Sequence, residues 1–188
     1  MTYQIIDLAT ASPDLRLQAA RLLHVEFNQQ RWDYSWPTLA EAEDEVAMLC
    51  QPQHIARTSI DERGFLFGWI GGLPEYDGYV WELHPMVVHP QNRGVGVGRA
   101  LVLDLEQQVA ARGGLTITLG TDDTDNMTSL GGADLYVDLW DKIAHIQNYK
   151  QHPFGFYRRM GYIITGVVPD ANGVGKPDIL MSKRVQKG

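Results

Sequence analysis

Apolar residues recur along this chain with two periods, and the points where one period gives way to the other mark its elements. Gln4 to Leu8 reads as a short strand, and Pro13 to Gln29 as a helix carrying Leu15, Ala19, Leu22, Leu23 and Phe27 on one face, with Ser12 as cap and proline in the first turn. A second helix follows Ser35-Trp36-Pro37, bears Leu39, Ala42, Val46 and Leu49, and ends at Pro52. His54 to Ile60 and Phe65 to Leu73 form a predicted hairpin around Asp61-Glu62-Arg63-Gly64, and Tyr79 to Val88 is a third strand after the turn Glu75-Tyr76-Asp77-Gly78. Glycine-rich Arg93 to Gly98 runs into a helix over Arg99 to Ala111 with Leu101, Leu105 and Val109 as its buried stripe, ended by Gly113-Gly114. Leu115 to Leu119 is a strand, Thr121 to Gly132 is polar and turn-rich, and Ala133 to Asn148 shows weak helical periodicity. A short helix over Pro153 to Met160 precedes two closing strands, Tyr162 to Val168 and Asp178 to Lys183. The expected fold is α+β, a mostly antiparallel mixed sheet flanked by helices.

Length, charge and cysteine usage narrow the class. The 188 residues suit one domain spanning the whole chain. The net charge of -7 and the scatter of basic residues argue against nucleic acid as a partner. Cys50 is the only cysteine, which excludes an internal disulfide and a cysteine-rich metal site, and no metal is expected. The chain opens without a basic and apolar leader, and no apolar run has the length of a membrane span, so a soluble cytoplasmic protein is expected.

The strongest local signal is the stretch Arg93, Gly94, Val95, Gly96, Val97, Gly98, Arg99 between an apolar strand and an amphipathic helix. Its glycines let the backbone approach a ligand closely, and the first N–H groups of the helix point outward with the positive end of its dipole, which suits a pyrophosphate. A nucleotide-triphosphate loop would end in Gly-Lys-Ser/Thr, where this chain has Gly98-Arg99-Ala100. A dinucleotide fingerprint would place glycine three residues after Gly96, where this chain has Arg99. The bland alternative is a tight helix entry with no ligand. Arg-x-x-Gly-x-Gly itself resembles the pyrophosphate signature of the GNAT acetyltransferases.

The strand before that loop, Trp81 to Val88, carries chemistry of its own. Alternation places Glu82, His84 and Met86 on one face, with two ionisable groups where apolar residues are ordinary. Pro85 cannot donate to a ladder, so this central strand is expected to be irregular and splayed there. If it parts from Leu115 to Leu119, a ligand arm can lie along the backbone of Met86, Val87 and Val88, and an N–H near Met86 can meet a thioester carbonyl as oxyanion donor. Glu82 and His84 are candidates to take the proton from an ammonium, directly or through water, and Glu82 can equally anchor a cationic amine.

The resemblance tightens over the rest of the chain. Trp81-Glu82-Leu83-His84-Pro85, Leu119-Gly120-Thr121-Asp122-Asp123, Gln151-His152-Pro153 with Phe156-Tyr157, and Asp170-Ala171-Asn172-Gly173 with Lys176-Pro177-Asp178 are similar to the aminoglycoside 6'-N-acetyltransferases, as is Ser35-Trp36-Pro37. The resemblance implies transfer of the acetyl group of acetyl-CoA to the 6'-amine of an aminoglycoside by direct attack in a ternary complex, with antibiotic resistance as the outcome and a homodimer as the assembly. It implies Glu82 and His84 at the amine, a backbone N–H near Met86 at the oxyanion, and Tyr157 beside the coenzyme sulfur as acid for the leaving thiolate. A polycationic substrate suits the acids Asp122, Asp123, Asp138 and Asp178, with Trp36 and Tyr76 to stack on sugars. Solvated acidic loops are the plain alternative for several of these residues. Two rivals stand: acetylation of another polyamine, peptide or protein amine, and a catalytically idle coenzyme-A sensor, which would need none of Glu82, His84 and Tyr157.

Overall fold

The structure, a computed structural model, describes residues 2–29 and 35–185. It divides the chain into two compact units, Met1–Ile117 with Val185–Gly188 and Thr118–Arg184.

In the first unit β1 (Gln4–Asp7), β2 (Ile55–Ile60), β3 (Leu66–Glu75) and β4 (Val80–Val88) lie side by side in that order, each antiparallel to the next. The Tyr79 carbonyl accepts from the N–H of Leu115 at 2.8 Å and of Thr116 at 3.2 Å, so β5 (Thr116–Asp122) starts at the same end as β4 and leaves parallel to it. A parallel join needs a crossover, and the helix α3 (Val97–Ala111) supplies it. The sheet is therefore mixed.

Helices cover both faces of the first unit. On one face α1 (Pro13–Gln29) and α2 (Leu39–Leu49) bury Ala19, Leu22, Leu23, Ala42, Val46 and Leu49 against Trp69 and Val87. Thr38 and Glu41 form a capping box at the start of α2, which satisfies two N–H groups the first turn would otherwise leave open. On the other face α3 buries Val97, Leu101, Val102, Leu105 and Val109, and the Leu105 side chain fits beneath Gly72, where an added Cβ would lie 2.9 Å from it. Burial on both faces explains why β3 reads as a nearly continuous apolar run.

In the second unit β7 (Asp178–Arg184) runs antiparallel to β6 (Ile163–Val168). Asp123, at the end of β5, is fully buried and organises the turn that follows: its carboxylate accepts from the N–H of Met127 at 2.6 Å, the N–H of Thr128 at 2.8 Å and the Thr128 hydroxyl at 2.7 Å. Of the stretch with weak helical periodicity, α4 (Leu139–Ala144) is helical, its start set by Asp138 in a left-handed conformation. The short α5 (Phe154–Arg159) follows.

Candidate active site

The first unit holds the strand and the loop that the sequence singled out. At β4 the register against β3 slips: Gly72 faces Leu83 and Ile70 faces Met86, so Gly71 alone stands opposite both His84 and Pro85. This extra residue is a β-bulge, centred where proline cannot join the ladder. Gly71 makes it possible, because a Cβ there would come 2.3 Å from the His84 carbonyl oxygen.

The bulge corrects one expectation. Glu82 pairs with Leu73, on the face covered by α1 and α2, and His84 reaches Glu45 of α2 from the same face. Met86 does not share it. Paired with Ile70, two residues from Gly72 on β3, its side chain lies on the α3 face, and Val87 takes the place beside Trp69. One inserted residue inverts a period of two, so alternation holds only as far as the bulge. The backbone of Met86 nevertheless suits a donor role. The N–H of His89 donates to the Phe67 carbonyl at 2.8 Å, and hydrogen-bonded pairs alternate along an antiparallel ladder. Counting back through Val88 and Val87, Met86 falls at a pair that exchanges no bonds, and its N–H points away from β3.

Behind β4 the chain enters the glycine loop. Gly94 and Gly96 both have left-handed φ, 74° and 97°, which L side chains rarely adopt. Gly96 is the N-cap of α3 and, without a side chain, offers no cap. The helix thus begins at Val97, two residues before the predicted start, and the first-turn N–H groups of Val97, Gly98 and Arg99 have no intrahelical acceptor. Val95, between the two glycines, is exposed. Arg93 is held from behind: its Nε donates to the Val88 carbonyl at 3.0 Å, and its guanidinium pairs with Glu26, a buried acid of α1. The Arg93 side chain thereby fixes the loop entry.

Around His84, Trp36 is half-buried with its ring 5.6 Å from the imidazole and edge-on to Phe27 at 4.9 Å, and its indole N–H donates to Glu45 at 3.2 Å. Tyr76, by contrast, is 76% exposed at the turn between β3 and β4 and presents an open ring face.

The second unit holds Tyr157 and the aspartates. Tyr157 is buried on α5, edge-on to Phe156 and Tyr162, and burial pushes its phenol well above the ordinary range. His152 anchors the start of α5: Nε2 donates to the Asp122 carbonyl at 3.0 Å, and Nδ1 accepts the N–H of Phe154 at 3.2 Å. The Phe154 N–H requires a lone pair on Nδ1 and so the neutral ring, and burial pushes the His152 pKa down, against the opposing pull of the Asp122 carbonyl. The Asp122 carboxylate accepts from the Asn172 amide, and the Asp178 carboxylate lies over Gly120, where a Cβ would meet it at 2.5 Å. Asp138 is exposed. Asp123 belongs to the scaffold, not to a substrate surface, since it is 0% exposed and three donors occupy its oxygens.

Three residues escaped the sequence reading as site components: Glu26, Glu45 and His152. Glu26 follows Ala19, Leu22 and Leu23 at helical spacing, and Glu45 lies between Ala42 and Leu49. An acid within an apolar stripe is the signal that would have found both.

Among the described residues no cluster of three or more His, Cys, Asp and Glu is placed to hold a metal ion, and no helix is long and apolar enough to cross a membrane. Comparison with curated proteins returns no match. Residues 18–132 match the model of the acetyltransferase (GNAT) family. Among solved structures, an aminoglycoside 6'-N-acetyltransferase complexed with coenzyme A is 41% identical, with 97% of each chain covered and a TM-score of 0.89. The aminoglycoside 6'-N-acetyltransferase from Enterococcus faecium is also 41% identical, over 99% of this chain and 98% of that one, with a TM-score of 0.87. An aminoglycoside 6'-acetyltransferase of type Ii is 35% identical over 99% of this chain and 98% of that one, at a TM-score of 0.72. With the bulged strand, the open helix start and a match over nearly its whole length, the chain belongs to the GNAT acetyltransferase family and stands within it beside the aminoglycoside 6'-N-acetyltransferases.

Proposed function

We propose that this protein transfers the acetyl group of acetyl-CoA to the 6'-amine of an aminoglycoside by direct attack in a ternary complex. The observation that carries the reading is a bulged strand bearing Glu82 and His84 that leads into an uncapped helix start, in a chain 41% identical over 97% of its length to an aminoglycoside 6'-N-acetyltransferase complexed with coenzyme A.

Acetyl-CoA supplies an activated thioester and a diphosphate handle. The N–H groups of Val97, Gly98 and Arg99 receive the diphosphate, with Gly94 and Gly96 opening the approach and the positive end of the α3 dipole favouring its charge. Met86 donates its N–H to the oxyanion, and the backbone of Val87 and Val88 continues the same edge. Glu82 holds the acceptor ammonium by charge, and His84 takes its proton directly or through water. The freed amine then forms its bond to the thioester carbon, the C–S bond breaks, and the thiolate departs.

Tyr157 serves that thiolate by hydrogen bonding. A phenol held above its usual value of about 10 meets a thiol of about 8.5, so giving up its proton would be uphill by about 2 kcal/mol or more. A donated hydrogen bond stabilises the leaving group without that cost, and the proton reaches sulfur from solvent. Tyr76, Asp122, Asp138 and Asp178 are the polar and aromatic groups we assign to the aminoglycoside, with Trp36 bounding the amine site next to His84. We extend the proposal to a homodimer, as the family resemblance implies, and to action in the cytoplasm.

A thiol-release assay with acetyl-CoA over a panel of acceptors tests the reading. Kanamycin-type substrates with a 6'-amine are expected to turn over, and analogues with a 6'-hydroxyl are not. Equal turnover of both refutes the regiochemistry, and preference for peptides or simple polyamines over aminoglycosides refutes the substrate class.

A further inference from the structure

Helix α2 turns an acid inward. Ala42, Val46 and Leu49 are its buried face, and the Glu45 side chain, 16% exposed, lies among them. Its two carboxylate oxygens differ. Oε2 accepts the Trp36 indole N–H at 3.2 Å. Among the described residues Oε1 is buried without a hydrogen-bond donor, and it stands 3.6 Å from Nε2 of His84. That separation is too long for a hydrogen bond and short enough for an ion pair, and a buried carboxylate oxygen with no donor is costly. Catalytic contacts of this kind are commonly long in unliganded sites and tighten in the reacting complex.

Among the described residues, the donor that faces Oε1 is His84. Trp36 closes one side of the imidazole, and its own carbonyl is tied to His24 at 3.0 Å and Asn28 at 3.2 Å. Among the described residues, the ionisable groups around His84 are Glu45 from α2, Glu82 from its own strand and, behind Trp36, His24 from α1. Glu45 touches both the ring and the indole beside it.

We propose that Glu45 is a positioning residue for acetyl transfer: one oxygen holds the Trp36 indole, the other holds Nε2–H of His84, and the imidazole is thereby kept in the tautomer whose Nδ1 is free to accept a proton. The inference rests on the reading of His84 as the group that takes the acceptor's proton. Neutral His84 carries its hydrogen on Nε2 and a lone pair on Nδ1. The proton leaving the acceptor ammonium lands on Nδ1, and the amine keeps the electron pair with which it attacks. The imidazolium that results faces an anionic oxygen through Nε2–H. Glu45 itself never takes the proton.

Nitrogen NMR of the full-length protein without substrate reads the tautomer, with the His84 signal assigned by Glu45-intact H84N. Wild type is expected to show hydrogen on Nε2, and hydrogen on Nδ1 instead would overturn the proposal before any variant is made. In Glu45→Gln the amide has one oxygen for two donors. With that oxygen on Trp36, its NH2 group faces Nε2 and drives His84 to the Nδ1–H form. Turnover is then expected to fall about 100-fold with the KM for acetyl-CoA unchanged, the loss of one positioned proton acceptor. A His84 tautomer identical in wild type and Glu45→Gln overturns the inference whatever the activity. A tautomer switch in a protein that acetylates no aminoglycoside upholds the Glu45–His84 coupling and counts against the substrate reading, so the two failures are distinct. Glu45→Asp, which keeps the charge and shortens the reach, is expected to recover part of the Nε2–H population.

Discussion

Replacing Gly71 with alanine tests whether the bulge in β4 sets the catalytic geometry. The new Cβ would lie 2.3 Å from the His84 carbonyl oxygen and 2.9 Å from both terminal methyls of Leu49. Leu49 can change rotamer, but the carbonyl is backbone and cannot. Ordinary contact begins near 3.4 Å, so β3 and β4 must open by about 1 Å at His84, the proposed proton acceptor. Overpacking of this kind costs about 1–3 kcal/mol. In a chain of this size each kcal/mol lowers Tm by about 2–4 °C, giving a loss of about 2–12 °C by differential scanning fluorimetry. A misplacement of about 1 Å at a reacting group costs about 100-fold in turnover, read by thiol release. Gly166→Ala is the control, since its Cβ would meet only the Leu180 side chain at an ordinary 3.7 Å. Tm and turnover of Gly71→Ala equal to those of Gly166→Ala would refute the claim that the bulge requires a bare backbone opposite it.

Two further outcomes follow from the site. Arg93→Ala strands the buried Glu26 carboxylate as well as freeing the loop, so it is expected to cost about 1–3 kcal/mol in chemical denaturation and to raise the KM for acetyl-CoA, whereas Glu26→Gln keeps an acceptor and costs less. Unchanged stability and an unchanged KM for acetyl-CoA in Arg93→Ala would show that the ion pair does not hold the loop. The raised pKa of Tyr157 means that the fold favours the protonated phenol, so its contribution is complete below the unfolded value of about 10 and is lost as pH rises further. Wild type is expected to lose about 1.4 kcal/mol more than Tyr157→Phe between pH 8 and pH 11, and parallel stability curves would contradict that burial.

Much of this architecture can be read from pattern, because local rules and the fold agree along most of the chain. Proline in the first turn and apolar residues three and four apart place α1 at Pro13–Gln29 without the structure's help. The glycine loop is legible for the same reason, since its conformation is written in residues that tolerate positive φ. What escapes the reading depends on partners distant in sequence, on an added residue, or on a polar turn that closes over its own acid. Met86 lands on the wrong face because a bulge is invisible to a period of two. Asp123 looks like a surface acid because its loop is polar, although its three donors come from residues only four and five positions ahead. His152 stands in a quoted motif, yet its role appears only when the Asp122 carbonyl and the Phe154 N–H are seen on its two nitrogens.

The buried acids and the paired glycines show how the fold accommodates chemistry that it would otherwise resist. Two adjacent glycines in the middle of β3 work against strand propensity, and a strand built for stability alone would not choose them. Each answers a different face. Gly71 yields to the His84 carbonyl at the bulge, and Gly72 yields to Leu105 of α3, which seats the helix whose first turn we assign to the diphosphate. The same strand thereby seats the proposed proton acceptor on one side and the helix assigned to the coenzyme on the other. Glu45 and Glu26 follow the same logic in the covering helices. Each gives up a place in an apolar stripe to face a residue of the proposed site, His84 in one case and Arg93 in the other. Substituting either acid with leucine would extend the apolar stripe and release the group that the acid faces, so on the proposed reading turnover is expected to fall while stability holds or rises.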